Sequence, residues 1–304
     1  MLTQDLTPEI KEVKLDKNPN KVQLFIKRDD QLHPIISGNK WRKLRYNLVE
    51  AKKQGHHTLL TFGGAYSNHI HAAAGAAHEF GFKSIGVIRG EEHLPLNPTL
   101  QDAQEMGMRF RYMDRSTYRE KHEEHIIEML QEEFGDFYLV PEGGTNELAL
   151  KGAAEIIEGH EDQYDYFCSA CGTAGTATGM VIGLNGKANV LGFSVLKGNF
   201  HQNEVSKWLS RTGNTNLGNW KINTDYHFGG YAKFNWDLVS FINEFKEDQD
   251  IPLDPVYTGK MMFGVFDLIS KGYFPEKSRI LAIHTGGLQG ISGFNQRFNN
   301  LIKI

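Results

Sequence analysis

The sequence predicts an α/β fold built on parallel strands, and three features predict it. From about residue 57 onward, short apolar runs alternate with longer stretches of helical period, the pattern of repeated strand–helix–strand units. Several of these runs end in a polar or glycine-rich turn that leads into a helical pattern, and open α/β sheets present ligand loops at such carboxyl ends of their strands. The chain is 304 residues long, enough for one large core or two smaller ones, so two subdomains are expected.

Taken in order, the chain first offers Lys27, Arg28, Asp29 and Asp30, then the segment from Ser37 to Leu44, in which the turn-forming pair Gly38 and Asn39 sets Lys40 at the start of a helix. Strands are expected at 58–62, 84–88, 109–113, 137–140, 164–168, 190–195 and 280–284. The first leads into Gly63, Gly64, Ala65, Tyr66, Ser67 and Asn68, followed by a helix of small residues around Ala72–Ala77, for which Ser67 or Asn68 is a good N-cap. The polar stretch 115–133 reads as one exposed helix. Its His122 and His125 lack the spacing that sets two ligands on one helical face, so this is a solvated surface rather than a metal site. Three more turns follow strands: Gly143 to Asn146, Gly172 to Thr176, and Thr285 to Gly290. No fixed-period repeat, low-complexity tract or long linker interrupts the chain.

Composition excludes several classes of function. Residues are 40% hydrophobic and 23% charged, ordinary for a packed globular protein, and the formal charge is −4. Lys and Arg are interspersed with Asp and Glu, which leaves no electrostatic footprint for nucleic acid or an anionic membrane, so a small-molecule partner is expected. The two cysteines, Cys168 and Cys171, lack the further ligands of a zinc site and read as buried reduced thiols near a strand end. The first residues lack the basic start and apolar core of a signal peptide, and no run reaches the ~20 apolar residues of a membrane span; cytoplasmic residence is the expectation.

Three constellations carry chemistry. The loop Gly172, Thr173, Ala174, Gly175, Thr176 follows a strand and opens a helix of small residues. Its backbone N–H groups can close on an anion and the helix dipole favours negative charge there; the alternative is a tight helix–sheet packing turn. It is neither the dinucleotide nor the triphosphate glycine motif. Lys40, at the positive end of a helix, is suited to act as an amine nucleophile; taken alone it also reads as a solvated surface lysine. Ser67 and Asn68 either cap a helix or present polar groups to a bound carboxylate.

Together these pieces resemble the fold-type-II pyridoxal-phosphate enzymes, tryptophan-synthase-β-like, and within them the branch of 1-aminocyclopropane-1-carboxylate deaminase and D-cysteine desulfhydrase. The likeness runs in order from Arg28-Asp-Asp30 through Ser37–Lys43, Tyr66-Ser-Asn-His69 and Gly172–Thr176 to Asp254-Pro-Val-Tyr-Thr-Gly-Lys260 and His284-Thr-Gly-Gly287. It implies two unequal α/β domains with open, twisted, mostly parallel sheets flanked by helices. Residues 1–43 plus 149–304 would form the larger cofactor-binding domain and 44–148 the smaller, with the site between them, in a homodimer. Pyridoxal 5′-phosphate is the implied cofactor, carried by Lys40 as a Schiff base, with Asn39 beside it and Lys43 reaching toward the phosphate cupped by Gly172, Thr173, Ala174, Gly175 and Thr176. Asn68 would face the cofactor's phenolic oxygen. Ser67 would hold the substrate carboxylate or assist proton transfer, and Tyr231 and Tyr257 would be the two active-site tyrosines.

Within the branch, the resemblance places Thr258 where the deaminases have a glutamate facing the cofactor's ring nitrogen, and Thr285 where they have leucine and the desulfhydrases threonine. A neutral hydroxyl cannot compensate a pyridinium charge as a carboxylate can, so the electron sink is weaker. A weaker sink suits loss of a thiolate better than opening of a cyclopropane. The expected reaction is therefore β-elimination from D-cysteine: Lys40 or a tyrosine takes the Cα proton, sulfide leaves, and pyruvate and ammonia result. Tyr66 replaces the glutamine usual in the desulfhydrases, which leaves another D-amino acid or β-substituted alanine open as substrate. The alternatives are the cyclopropane deaminase, which gives 2-oxobutyrate, and a pyridoxal-phosphate-binding protein without turnover.

Overall fold

The computed structural model describes residues 7–304. Two short strands open it, β1 (Ile10–Val13) and β2 (Gln23–Lys27), and in β2 the alternate residues Leu24 and Ile26 are buried. Helix α1 (Asn39–Lys53) follows. The chain then runs β3 (Thr58–Gly63), α2 (Asn68–Phe80), β4 (Lys83–Arg89), α3 (Pro98–Glu105), β5 (Met108–Met113), α4 (Arg115–Arg119), α5 (Glu124–Phe134), β6 (Tyr138–Val140) and α6 (Glu147–Ala154). The last part comprises β7 (Tyr166–Cys171), α7 (Gly175–Leu184), β8 (Asn189–Ser194), α8 (Phe200–Arg211), β9 (Trp220–Asn223), α9 (Trp236–Gln249), α10 (Thr258–Ser270), β10 (Arg279–Ile283) and α11 (Gly290–Phe298).

Among the described residues the strands form two sheets. One has the order β1-β2-β10-β7-β8-β9 and is parallel except at β1; the other, β5-β4-β3-β6, is parallel throughout. Both have helices packed on them, the α/β class that the alternation of apolar runs predicts. The all-parallel sheet lies wholly within 44–148, and each strand of the other lies outside that range. Strands buried on both faces read as continuous apolar runs, which is why β3, β4, β7, β8 and β10 stand out in the sequence. β1, β2 and β9 are short or partly polar and were not among the expected strands. Cys168 and Cys171 are free, buried thiols on β7, and burial pushes the Cys171 thiol up to about 12. No helix among the described residues is long and apolar enough to cross a membrane.

The single helix expected over 115–133 is divided into α4 and α5. Asp114 caps α4 through the amides and hydroxyls of Ser116 and Thr117. The turn after it lets Lys121 fold back over the ring of buried Tyr118, 4.9 Å from its centroid, and pair with Glu142 at 3.2 Å. That long-range pairing has no counterpart in the local helical pattern.

Helices α1, α6 and α7 meet along a tight seam. A Cβ at Gly152 would stand 1.9 Å from the carbonyl oxygen of Arg42, and one at Gly179 would stand 2.4 Å from the Cβ of Ala153. Only hydrogen side chains allow such an approach, which fixes α1 and α7, the helices bearing the lysines and the glycine loop, relative to each other. Beneath the start of α1 lies a buried charge network. Asp29 accepts from Nε of Arg42 at 2.8 Å, and Arg28 donates two bonds to Asp30 at 2.8 and 2.7 Å. The amide of Gly38 donates to the carbonyl of Asp29, so the turn before α1 rests on this network.

Candidate active site

A cavity of about 730 Å³ lies between the carboxyl ends of the two sets of strands. Apart from Thr258, every residue of the expected site lines it: Asn39, Lys40, Lys43, Ser67, Asn68, Gly172, Thr173, Ala174, Gly175, Thr176, Tyr231, Tyr257 and Thr285. Local structure explains how they converge. The amino ends of α1, α2 and α7 all face this space, and each carries unpaired N–H groups and a partial positive charge.

At α1, Gly38 adopts φ +64°, ψ −140° and packs against the Thr285–Gly286 backbone, where a Cβ would stand 2.0 Å from the Thr285 carbonyl oxygen. The helix therefore begins against the 284–287 loop, with Lys40 in its first turn and Lys43 one turn further. Lys40 Nζ donates to the Gly143 carbonyl at 3.3 Å, and Lys43 Nζ donates to the same carbonyl at 2.6 Å and to Thr145 Oγ1 at 2.7 Å. Neither lysine has a carboxylate partner among the described residues. Burial pulls Lys40 down to about 8, and burial together with the neighbouring Lys40 charge holds Lys43 well below its ordinary value.

The α7 end forms the other half. Ala174 has φ +59°, so the Gly172–Thr176 loop doubles back before the helix and leaves the first-turn amides of α7 facing the cavity. Asn39 donates from Nδ2 to Thr176 Oγ1 at 2.7 Å, tying the starts of α1 and α7 together. Thr173 and Thr145 hydroxyls share a 2.7 Å hydrogen bond, and buried His201 bridges the Gly172 carbonyl (2.9 Å) and Ser194 Oγ (3.0 Å). Two helix ends and two amines without counter-charge, Lys43 buried and Lys40 half-buried, form a pocket suited to an anion, and Lys40, partly neutral near pH 8, is an amine able to attack a carbonyl.

At α2, Ser67 is the N-cap, accepting from the amides of His69 (3.2 Å) and Ile70 (3.3 Å), which leaves its own O–H free to donate. Asn68 Oδ1 accepts from Gln289 Nε2 at 2.8 Å, across to the 284–290 loop. His69 is buried, and its Nε2 lies 2.7 Å from Thr61 Oγ1, which itself donates to the Val140 carbonyl. The Nδ1 of His69 has no hydrogen-bond partner among the described residues. Burial, with Lys40 and Lys43 close by, keeps this imidazole neutral.

On the opposite wall the hydroxyls of Tyr231 and Tyr257 are 3.4 Å apart, their rings edge-on. Desolvation at the cavity raises the pKa of both hydroxyls, well above the usual phenol value for Tyr257, although the Tyr231 ring is partly exposed. Lys260, buried at the end of the 254–260 motif, donates to the carbonyls of His227 (2.9 Å) and Gly230 (2.7 Å) and so holds the loop that presents Tyr231. Thr258 lies elsewhere: its hydroxyl accepts from the Asp254 amide at 3.0 Å and donates to Asp254 Oδ1 at 2.8 Å, and it does not line the cavity. Thr145, His69, His201 and Lys260 were not singled out from the sequence. Thr145 lay in one of its four candidate loops, but the partners of the other three are 8 to 33 positions away.

Comparison with known proteins agrees with this geometry. The family model described as pyridoxal-phosphate dependent enzyme matches residues 3–286. A protein of Pyrococcus horikoshii provisionally named 1-aminocyclopropane-1-carboxylate deaminase is 35% identical over 295 residues, covering 92% of this chain and 89% of the relative. One of the same provisional name from Thermotoga maritima is 30% identical over 290 residues, covering 90% and 91%. A crystal structure described as an ACC deaminase homologue superposes with a TM-score of 0.80 at 31% identity, over 98% of this chain and 94% of that one. A hydrogen sulfide-producing enzyme of Fusobacterium nucleatum, 15% identical with a TM-score of 0.67 over 93% and 97% of the two chains, shares the fold. A buried amine beside a helix-end anion pocket suits an aldehyde that bears a phosphate, and the chain belongs to the pyridoxal-phosphate-dependent enzymes, on the branch similar to 1-aminocyclopropane-1-carboxylate deaminase.

Proposed function

We propose that the enzyme catalyses β-elimination from a D-amino acid, with D-cysteine the leading substrate, yielding pyruvate, sulfide and ammonia. The observation that supports this reading is that, among the described residues, no carboxylate pairs with Lys40 or Lys43. Of the acidic residues on the cavity wall, Asp30 is bound by Arg28, and Glu142 is bound by Tyr118 and Lys121. Glu204, from α8, also lines the cavity and has no partner among the described residues. Thr285 lines the wall beside α1, where its carbonyl accepts from the Asn39 amide, and we assign to it, in place of Thr258, the contact with the cofactor's ring. A hydroxyl there leaves the ring a weaker electron sink, which suffices when a thiolate departs from Cβ.

Bound pyridoxal phosphate supplies an electron-withdrawing ring that makes the substrate's Cα proton acidic. The chain supplies the rest. Lys43, the Gly172–Thr176 loop and the start of α7 hold the phosphate, while Asn39 fixes Thr176 beside it. Lys40 would anchor the cofactor and, once the substrate has displaced it, is the base that takes the Cα proton. The two phenols stay protonated because burial raises their pKa values, so they serve as proton donors, toward the departing sulfur, rather than as bases. Ser67 donates its free O–H to the substrate carboxylate, assisted by the positive end of α2.

A second reading is 1-aminocyclopropane-1-carboxylate deaminase, the activity named for the relatives. The cofactor-loaded enzyme separates the two: D-cysteine, L-cysteine and 1-aminocyclopropane-1-carboxylate are compared, with pyruvate and sulfide assayed for the first two and 2-oxobutyrate for the third. Pyruvate and sulfide from D-cysteine are expected. Release of 2-oxobutyrate with no pyruvate would reverse the assignment.

A further inference from the structure

A second chamber, of about 660 Å³, adjoins the first and shares with it Gly64, Tyr66, Asn68, Arg89, Tyr231 and Tyr257. Its wall carries three guanidinium groups: Arg89 at the end of β4, Arg115 at the start of α4, and Arg297 in the last turn of α11. The two sheets' flanking segments thus both contribute cations. Among the described residues these three side chains make no ion pair or hydrogen bond; Arg89 and Arg297 only rest near the rings of Tyr118 (5.8 Å) and Phe298 (5.3 Å). The carboxylates nearby are committed. Asp114 caps α4 with both oxygens, and Asp254 accepts from the amides of Val256, Tyr257 and Thr258, leaving Glu91 as the acidic group on this wall without a partner. Arg89 reaches toward the turn between β3 and α2: a Cβ at Gly64 would stand 3.6 Å from its Nη2.

Three guanidiniums without an ion-pair partner among the described residues line one cavity, and their planar donor pairs match a carboxylate or another oxyanion. The thiol of cysteine is one heavy atom beyond Cβ, whereas occupying both chambers takes a longer substituent. We infer that the outer chamber is a subsite for an anionic group on the substrate's side chain, so that the enzyme favours β-substituted alanines whose leaving group carries a negative charge. The inference rests on the elimination reading above. For S-carboxymethylcysteine the Cα proton passes to Lys40, the Cβ–S bond breaks with its electron pair on sulfur, and the thiolate takes up a proton. The three-carbon fragment adds water and releases ammonia. Substrate plus water thus gives pyruvate, ammonia and mercaptoacetate, with no oxidant or reductant.

The test uses the cofactor-loaded enzyme and a near-isosteric pair, racemic S-carboxymethylcysteine and its neutral amide, racemic S-carbamoylmethylcysteine. Binding is measured by calorimetry at low and high salt, and pyruvate is assayed in parallel. The acid should bind about tenfold or more tightly than the amide. That advantage should shrink at high salt and largely vanish in the double variant Arg115→Gln, Arg297→Gln, in which two exposed side chains are replaced. Equal binding of acid and amide, or a preference that persists in the double variant, would overturn the inference. Binding decides the subsite and pyruvate decides the reaction: acid preference without pyruvate from any compound supports the subsite and sinks the elimination reading, while pyruvate from D-cysteine without acid preference does the reverse.

Discussion

Replacing Gly38 by alanine tests how the structure sets Lys40. The residue sits at φ +64°, ψ −140°, near a region that glycine alone occupies freely, and the new methyl would stand 2.0 Å from the Thr285 carbonyl oxygen and 2.7 Å from the Gly286 nitrogen. Both are backbone atoms, so no side chain can swing aside. Holding an L residue in such a region costs about 1–3 kcal/mol, and forced overpacking typically adds about 1–3 kcal/mol, together about 2–6 kcal/mol. Strain of that size is relieved by moving the first turn of α1, which carries Asn39 and Lys40. The assays are the denaturant midpoint of the cofactor-free protein and the rate at which added pyridoxal phosphate produces a visible absorption band. Gly55→Ala is the control, since that glycine also has positive φ, +80°, but a Cβ there meets nothing within 4 Å. Gly38→Ala should lose clearly more stability than the control and load cofactor at least tenfold more slowly. If the two variants match in both assays, the contact between Gly38 and the 284–287 loop does not position Lys40.

Three further outcomes are expected. In cofactor-free protein Lys40 should label with amine reagents with a midpoint near pH 8; at pH 7.5 a pKa of about 8 leaves roughly a quarter of it neutral, some 200-fold more than an ordinary lysine. Because its folded pKa lies below the unfolded value, stability gains relative to Lys40→Met as pH rises from about 8 toward 10.5 and loses as pH falls; mass-spectrometric labelling with a midpoint of 10 or above would contradict the burial argument. Lys260→Met strands the His227 and Gly230 carbonyls, so kcat/KM on the best substrate should fall by about tenfold or more while the cofactor band is retained; loss of the band instead would mean that Lys260 serves the whole site and not the Tyr231 loop. Saturating pyridoxal phosphate at about 100 times its Kd should stabilise the protein by about 2.7 kcal/mol, and thermal melts should show most of that shift missing in Lys43→Met; an undiminished shift would remove Lys43 from the phosphate site.

Much of the fold was legible because strands buried on both faces must be nearly all apolar. β7 and β8 could be placed from residue type alone, whereas β9, with Trp220-Lys-Ile-Asn223, is a four-residue edge with no such signal. The division between α4 and α5 was hidden for a different reason: the turn serves a Lys121–Glu142 pair that no local window contains. At the site, Lys40, Ser67 and the Gly172 loop were visible because each lies at the junction of a turn and a helix start, and that geometry leaves a trace in the local sequence. Thr258 was given its role by its place in a motif, but the structure turns its hydroxyl to Asp254, four residues back. Lys260 and His201 act on carbonyls 30 and 29 positions distant, pairings that only the folded chain defines.

The glycine seam joining α1, α6 and α7 divides the labour of the molecule unequally. Where helices touch backbone to backbone, a substitution by any larger side chain pushes them apart, so the half of the pocket proposed to hold the phosphate has little freedom to drift. The opposite half is borne on strand ends, short helices and exposed arginines, where side chains can be exchanged at little cost to the core. Inheritance would thus hold the chemistry constant along the seam and let the range of compounds admitted be rewritten from the far wall.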